Sequence, residues 1–232
     1  MYEATESCKF ETCYNHKHKY KQAQIETDIP ETCNLNQISH YLCPMRKLSM
    51  DELNRKTVEE FKQSDKSPLV VVLDNVRSMH NVGSVFRTAD AFLVESICLC
   101  GYTPRPPHRD IHKTALGATE TVHWVYYSST MDAINALKKE GYTIWAVEQA
   151  EGSTQLAELN WATLTGNNSI RQIAVIFGNE VGGVDEEVLK LCNGCIEIPQ
   201  SGTKHSLNIS VAAGIVLWEL VKLINGTVKM RV

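Results

Sequence analysis

Short, continuous runs of aliphatic residues that alternate with helical segments constrain the fold of this chain most strongly. The runs at 69–73 and 173–177 are apolar at every position and rich in Val or Ile. Such strands are buried on both faces, as in a parallel sheet that helices cover on both sides. We therefore predict an α/β fold with a parallel sheet and helices on both faces. The predicted strands are 69–73, 96–101, 123–126, 143–147, 173–177 and 195–198, and the predicted helices are 82–92, 131–139 and 208–223.

The first part of the chain lacks this pattern. Residues 1–44 are polar with weak hydrophobic periodicity, so we predict an irregular or disordered N-terminal arm. Their cysteines and histidines match no closed set of zinc ligands, and we expect no metal site. Met45 is a candidate natural start of translation, because a more orderly pattern follows it. Residues 45–66 are predicted as a helical lead-in, with one helix over 50–62, and residues 67–232 as a single α/β domain.

The charge of the chain excludes some classes of function. A net charge of −4 argues against a protein that coats nucleic acid through bulk electrostatics. It leaves room for a local basic face, and basic residues do cluster in the segment 105–113. No glycine-rich dinucleotide-binding motif follows the first strand, and no P-loop motif occurs. The sequence therefore disfavours a dinucleotide-binding enzyme and a P-loop NTPase.

The eight cysteines do not indicate an extracellular disulfide framework. The N-terminus lacks a signal-peptide pattern, and the longest aliphatic run, 69–73, is far too short for a membrane span. Cys98 and Cys100 lie in an apolar strand. We expect reduced, buried thiols, a structural role for the CxxC pair Cys192 and Cys195, no membrane association and a cytoplasmic location.

Polar, glycine-containing segments follow three of the predicted strands, where ligands of open α/β sheets bind. In the first segment, 81–90, Asn81 and Gly83 suit a tight entry into a helix, and Arg87 lies about one turn inside it. Arg87 could hold a phosphate with two hydrogen bonds. An ion pair with Asp90 or Asp74 is about equally compatible with the sequence.

The other two segments follow the strands at 173–177 and 195–198. In the second, 177–185, glycines allow a ligand to approach the backbone and Glu180 adds a carboxylate, although an ordinary glycine turn fits as well. In the third, 198–214, Ser206 or Asn208 can cap the last helix. The small residues at 212–214 would let another backbone approach that helix closely.

Together the three segments carry the patterns NxGxxxR, GNExxG and IPxxGxxxSLNxSxA, in this order. They resemble the motifs of the SpoU/TrmH family of SPOUT methyltransferases, and the resemblance covers roughly residues 67–225. There are two small departures: Gln200 stands where the family often has Met, and Lys204 with His205 makes the third segment more basic. These departures bear on substrate preference and not on reaction type.

The resemblance implies a deep trefoil knot in the C-terminal part, an exception to the rule that chains do not thread loops. It implies S-adenosylmethionine as the cofactor, bound in the knot, and methyl transfer to a ribose 2'-hydroxyl of transfer RNA or ribosomal RNA, with transfer RNA slightly favoured. It also implies a homodimer, because the cofactor and RNA sites of such enzymes draw on both chains. We expect no DNA substrate.

The resemblance also assigns roles to residues of this chain. The implied catalytic residues are Arg87, Asn81, Glu180, Ser206 and Asn208, and the implied cofactor-binding residues are Gly178, Ile198, Leu207, Gly202 and Gly183. The basic residues expected to bind RNA are Arg105, Arg109, Lys113, Lys204 and His205. Arg87 is expected to hold a phosphate and to stabilise the developing alkoxide, since a guanidinium stays protonated. Whether Arg87 also removes the proton is open at this point.

Two other functions are compatible with the same fold. A catalytically silent RNA-binding scaffold is the main alternative, and the presence of all five implied catalytic residues counts against it. A SPOUT enzyme that methylates a base nitrogen is disfavoured, because the pattern NxGxxxR belongs to the branch of the family that methylates ribose.

Overall fold

The computed structural model describes residues 46–49, 51–166, 172–203 and 206–227. The chain forms two compact units, the first ending at Arg55 and the second beginning at Lys56. The predicted N-terminal arm lies outside the described residues. In the first unit a short 3-10 helix covers Asp51–Leu53, and Arg46 Nη2 lies 2.5 Å from Glu52 Oε1. The hydrogen bond from Arg46 lowers the pKa of Glu52 to about 2.

The prediction of a single helix over 50–62 is wrong. Asn54 adopts a left-handed conformation with a φ of 45°, which ends the 3-10 helix. A separate helix, α1 (Val58–Gln63), begins after Thr57, whose hydroxyl accepts a hydrogen bond from Glu60 N–H. The Glu60 carboxylate in turn accepts one from Thr57 N–H. This capping box fixes the start of α1 independently of the segment before it.

The second unit is built on a parallel sheet of seven strands. The strands are β1 (Ser67–Asp74), β2 (Val94–Cys100), β3 (His123–Tyr127), β4 (Thr143–Val147), β5 (Thr154–Gln155), β6 (Ile173–Phe177) and β7 (Gly194–Glu197). Their order across the sheet is β3-β2-β1-β6-β4-β7-β5, and every neighbouring pair is parallel. The predicted parallel sheet is confirmed, and β5 is a two-residue strand that the sequence pattern did not indicate.

Helices cover both faces of the sheet. They are α2 (Met79–Ala91), α3 (Arg109–Ala115), α4 (Ala118–Thr121), α5 (Thr130–Lys139), α6 (Trp161–Thr165), α7 (Glu186–Leu189) and α8 (Ile209–Thr227). On β1, Val71 and Leu73 belong to a buried cluster with residues of α2, α3 and α8. Val70 and Val72 belong to a second cluster with residues of α5 and α7. The predicted α/β fold is therefore confirmed, including the burial of both faces of the sheet.

Helix α2 begins three residues earlier than predicted. Ser78 caps it, since the Ser78 hydroxyl accepts a hydrogen bond from Asn81 N–H, so Asn81 lies inside the helix together with Gly83. Gly83 has a packing role: a Cβ atom there would lie 2.1 Å from Thr114 Oγ1 and 2.3 Å from the Ile111 carbonyl oxygen. The missing side chain at Gly83 lets α3 pack directly against α2.

Helix α8 contains an 18-residue window, Ile209–Gly226, that is long and apolar enough by composition to cross a membrane, with a mean hydropathy of 1.5. Helices from the cores of soluble proteins meet the same criterion, so it is weak evidence for a span. Ala213, Val216 and Leu217 are fully buried in the first core cluster. The close approach predicted at Gly214 is absent, because a Cβ atom there would meet no described atom within 4 Å.

Candidate functional site

The loops after β1 and β6 meet at the carboxyl edge of the sheet, and Glu180 joins them. Its Oε2 atom accepts a hydrogen bond of 3.0 Å from Arg77 N–H, and its Oε1 atom accepts one of 3.0 Å from Ser78 N–H. Ser78 is the residue that caps α2. A carboxylate from the second motif therefore holds the start of the helix that carries the first motif.

Asn81 extends this contact to the third motif. Its amide nitrogen donates to Glu180 Oε1 at 3.0 Å, and its side-chain oxygen accepts from Asn208 Nδ2 at 3.1 Å. The Asn208 side-chain oxygen accepts from Ser210 N–H at 2.9 Å, so Asn208 also caps α8. Glu180, Asn81 and Asn208 thus form a continuous hydrogen-bonded network, which we call the motif network. It joins Asn81 to residues that lie 99 and 127 positions further along the chain.

The hydrogen bonds in the motif network favour the ionised form of Glu180. Partial burial opposes ionisation and raises the pKa of this carboxyl, but the bonds from the backbone N–H groups of Arg77 and Ser78 and from the Asn81 amide outweigh it. The pKa of Glu180 therefore lies below its usual value. At neutral pH Glu180 is a carboxylate that accepts hydrogen bonds only.

Replacing Glu180 with Gln is expected to destabilise the protein near neutral pH and much less in acid. A carboxyl group with a lowered folded-state pKa contributes stability that is fully present above its unfolded value and is lost as the pH falls through the folded value. The difference in Tm between wild type and Glu180→Gln should therefore shrink as the pH drops below the usual value of 4.5. Calorimetry across this range checks it. Glu59→Gln on α1 serves as the control, and a pH-independent difference for Glu180→Gln would contradict the prediction.

A cavity of about 530 Å³ lies beside the motif network. Four of the predicted cofactor-binding residues line it, namely Gly178, Gly183, Ile198 and Leu207. Ser206, Asn208 and Glu180 line it as well, so the second and third motifs meet there as the sequence indicated. Gly202 is exposed and does not belong to the lining.

Two of the lining glycines are required by the geometry. A Cβ atom on Gly178 would lie 2.1 Å from the Gly183 carbonyl carbon and 2.2 Å from Val184 N. Gly183 has a φ of +68°, which side chains other than glycine rarely adopt, and a Cβ atom there would lie 2.2 Å from Glu148 Oε2. The loop after β6 is therefore packed against its own return segment, and backbone groups form this part of the cavity wall.

Two residues that shape the cavity were not predicted from the sequence. Asn179 donates from its amide to the Asn75 carbonyl oxygen at 2.7 Å, while its side-chain oxygen accepts from Val181 N–H at 2.9 Å. Glu148, which follows β4, accepts from Val184 N–H at 3.1 Å and lines the cavity. The pair Gly178-Asn179 directly after a predicted strand was a local sequence signal for Asn179. Nothing local marked Glu148, because its partner lies 36 residues further along the chain.

Arg87 is exposed on α2 and is not part of the cavity lining. Among the described residues it forms no ion pair with either of the two carboxylates considered above. Asp74 instead accepts from the Thr130 hydroxyl, and Asp90 accepts from the Thr121 hydroxyl. Within the part of the chain that the structure describes, the Arg87 guanidinium is therefore available to a ligand.

The basic segment 105–113 presents three cations on the surface. The Arg105 guanidinium carbon lies 4.2 Å from the centre of the Tyr126 ring, which holds it by a cation–π contact. Arg109 is exposed, and Lys113 Nζ lies 3.0 Å from Asp110 Oδ1. An exposed pair of this kind is weak, so Lys113 can exchange its partner. Lys204 and His205 lie outside the described residues.

The four described cysteines are free thiols, of which Cys98 and Cys100 are buried and Cys192 and Cys195 are half-buried. Burial raises the pKa of Cys98 to about 12 and that of Cys192 to about 11, so both stay protonated at neutral pH. Cys195 Sγ donates to the Glu148 carbonyl oxygen at 3.3 Å. Within the part of the chain that the structure describes, no group of three or more His, Cys, Asp or Glu residues is placed to hold a metal ion.

The parallel sheet is covered by helices on both faces, and glycine-rich loops surround a cavity at its carboxyl edge. These features define an α/β protein with a ligand site. Comparison with known families identifies the family. The model of the family described as "SpoU rRNA Methylase family" matches residues 68–218. The chain belongs to this family, which confirms the resemblance found in its three motifs.

Named relatives and a solved structure agree with this assignment. A tRNA (guanosine(18)-2'-O)-methyltransferase of Thermus thermophilus is 33% identical over 168 residues, which are 72% of this chain and 81% of the relative. A 23S rRNA (guanosine-2'-O-)-methyltransferase RlmB of Vibrio parahaemolyticus is 32% identical over 74% of this chain and 66% of its own length. An AdoMet-bound rRNA methyltransferase from Sinorhizobium meliloti superposes with a TM-score of 0.60 at 27% identity, over 72% of this chain and 61% of that one.

Proposed function

We propose that this protein transfers the methyl group of S-adenosylmethionine to a ribose 2'-hydroxyl of RNA. The observation that carries the proposal is the motif network, which brings Asn81, Glu180 and Asn208 together beside the cavity. The two relatives described above are both named as 2'-O-methyltransferases of RNA. The chain retains the fold, the cavity and the polar residues that this reaction needs.

The cavity fits S-adenosylmethionine in size and in the character of its wall. About 530 Å³ lies within the range of ~300–1,000 Å³ typical of such sites. Gly178 and Gly183 have no side chains, so their backbone groups form this part of the wall and can recognise an adenosine, and Ile198 with Leu207 adds apolar surface. The Glu148 carboxylate suits a ligand that carries positive charge. When bound, S-adenosylmethionine supplies a methyl group that is already activated by its sulfonium.

In this proposal Arg87 acts on the RNA and not on the cofactor. Its guanidinium holds the phosphate next to the target ribose and stabilises the negative charge that develops on the 2'-oxygen. The motif network fixes α2, and with it Arg87, relative to the cavity. Ser206 and Asn208 hold the third motif on the other side of the cavity. Positioning of the two reactants then lowers most of the remaining barrier.

The test is direct. The purified protein is incubated with labelled S-adenosylmethionine and either unmodified transfer RNA or unmodified ribosomal RNA, and the RNA is then hydrolysed in alkali. Label that remains in alkali-resistant dinucleotides shows ribose methylation, because 2'-O-methylation blocks cleavage at that linkage. Label released with single nucleotides would indicate base methylation and would contradict the proposal.

Transfer RNA is the proposed substrate class. The Thermus relative, which is named as a transfer RNA enzyme, is matched over 81% of its length, whereas the Vibrio enzyme for ribosomal RNA is matched over 66%. Arg105, Arg109 and Lys113 supply a basic surface that can contact RNA phosphates without requiring a particular sequence. Lys204 and His205 are proposed to add to this surface from the third motif.

We also propose a homodimer that pairs through α8. Val211, Ile215 and Trp218 are exposed at spacings of four and three residues, so they form an apolar stripe along one face of this helix. Trp218 is 56% exposed and contacts Phe92 at a ring distance of 5.9 Å. A stripe of this kind on a stable protein favours association with a second apolar surface.

Replacing Trp218 with Glu is expected to convert the dimer into a monomer, because a charge would be buried in the apolar interface. Light scattering should show the mass falling from about twice 26.0 kDa to that of one chain. Lys139→Ala removes an exposed cation from α5, a helix on the other face of the sheet, so it should leave the dimer intact. A monomeric wild type, or a Trp218→Glu variant that remains dimeric, would contradict the proposal.

The deep trefoil knot is proposed for the segment from β6 to α8. This segment holds the second and third motifs, which line one cavity although β7 and α7 separate them in the chain. Single-molecule stretching from both ends can test it. A knotted chain remains shorter than its full contour length after complete unfolding, and an unknotted chain reaches it.

A further inference from the structure

A second cavity, of about 520 Å³, lies beside the edge strand β3. Trp124 of β3 and the rings of Pro106 and Pro107 form its apolar wall, and the fully buried Ile111 of α3 lies beneath it. Trp124 is half-buried and packs against the core, so its ring is held in place. None of these residues belongs to the lining of the first cavity. The second cavity therefore offers a separate flat, apolar surface.

Positive and hydrogen-bond-donating groups surround this apolar wall. Arg109 is exposed and forms no ion pair among the described residues, and it lines the cavity together with His108 and His112. His108 Nδ1 accepts a hydrogen bond of 3.2 Å from Asp110 N–H. In the neutral imidazole the proton then lies on Nε2, which can donate to a ligand.

The distribution of charge indicates how a nucleotide would be oriented there. Glu120 is the carboxylate of the lining, and it disfavours a phosphate inside the cavity. Arg109 and the neighbouring Arg105, which rests on the Tyr126 ring, favour phosphates at the rim. A nucleobase inside and its phosphates outside satisfy both conditions. Stacking on an aromatic ring accepts any base, because every base has a flat π-face.

The cavity is tied to the carboxyl edge where the first cavity lies. Thr103 is buried, donates to the Leu73 carbonyl oxygen at 3.0 Å and accepts from Val76 N–H at 3.1 Å. Pro106 lies three positions after Thr103 in the chain, a span of at most about 11 Å. On the other side, the Thr114 hydroxyl of α3 donates to the His80 carbonyl oxygen at 3.0 Å, next to the motif network. One RNA molecule can therefore reach both places.

We propose that the second cavity binds one nucleobase of the RNA substrate, stacked on Trp124, while Arg109 holds a flanking phosphate. The inference rests on the proposed function, since it requires an RNA substrate. The bound nucleotide is a neighbour of the methylated one and lies outside the reacting centre. It anchors the RNA so that the target ribose is presented to the first cavity.

Binding of a fluorescein-labelled, unmodified transfer RNA transcript is measured by anisotropy for the wild type and three variants. Trp124→Leu and Arg109→Ala are each expected to weaken binding by about ten-fold. Lys190→Ala, which removes an exposed cation at the end of α7, should stay within about two-fold of wild type. Trp124→Phe keeps an aromatic face and should recover most of the affinity. Calorimetry with S-adenosylmethionine should give unchanged affinity for all variants, which shows that they are folded.

Each result bears on the proposal. If the wild type binds and methylates the RNA while Trp124→Leu and Arg109→Ala bind it equally well, the nucleobase site is wrong and the proposed function stands. If the wild type neither binds nor methylates transfer or ribosomal RNA, both proposals fail. Polyglutamate is also added as a competitor of the labelled RNA. If it displaces the RNA from the wild type as efficiently as unlabelled RNA does, and if Trp124→Leu weakens its binding, the cavity is an acidic peptide site and the nucleobase assignment is wrong.

Discussion

Replacing Arg87 with Ala is expected to reduce the rate of methyl transfer by about 10²- to 10³-fold, the cost of removing one group that stabilises developing charge in a transition state. The affinity for S-adenosylmethionine should be unchanged, because Arg87 is exposed on α2 and does not line the cofactor cavity. Little loss of stability is expected either, since the guanidinium forms no ion pair among the described residues. Transfer from labelled S-adenosylmethionine and calorimetric binding of the cofactor measure the two quantities separately.

Lys139→Ala is the matched control, since it removes an exposed cation from a helix on the other face of the sheet. It should leave both quantities at wild-type values. An Arg87→Ala variant that methylates at the wild-type rate would show that the assigned role of Arg87 is wrong. A wild type that binds the cofactor and transfers no label to either RNA would favour the silent RNA-binding scaffold.

The central strands could be predicted from the sequence because both of their faces are buried. Each residue of β6 is apolar and buried, and β1 is buried from Leu69 to Asp74, so burial appears directly as a run of apolar residues. The three motifs could be recognised for a related reason. Each follows a strand of the parallel sheet, and parallel strands bring their carboxyl ends to one edge.

Helix boundaries were less predictable, because capping decides them and one residue can move them. Thr57 with Glu60 begins α1 inside what looked like one continuous helix, and Ser78 begins α2 three residues before the predicted start at Val82. The periodicity of apolar residues does not reveal which of several polar residues provides the cap. The helix over 50–62 was mispredicted for this reason.

Contacts between segments that lie far apart in the chain could not be predicted from the sequence either. Glu148 and Val184 are brought together by the adjacency of β4 and β6 in the sheet, and strand order is not encoded in either segment. The family resemblance implied roles for Asn81 and Asn208, but nothing in the sequence indicated that their side chains are hydrogen-bonded to each other. The structure shows this bond. Asn179 carried a local signal, but its bond to the Asn75 carbonyl oxygen did not.

Replacing Gly178 with Ala is expected to lower the affinity for S-adenosylmethionine by at least about 100-fold. The new Cβ atom would lie 2.1 Å from the Gly183 carbonyl carbon and 2.2 Å from Val184 N, and both are backbone atoms that cannot rotate away. The loop after β6 must shift, which moves the cavity wall and the neighbouring Glu180 together. Overpacking of this kind costs about 1–3 kcal/mol of stability, so the Tm should also fall, by roughly 2–12 °C.

Calorimetric titration with S-adenosylmethionine and thermal unfolding measure the two effects of Gly178→Ala. Gly226→Ala is the matched control, because Gly226 is exposed near the end of α8 and a Cβ atom there meets no described atom within 4 Å. It should bind the cofactor as the wild type does and be slightly more stable, since Ala favours a helix over Gly. Wild-type affinity in Gly178→Ala would place the cofactor elsewhere, because the wall at Gly178 cannot accept a methyl group without moving.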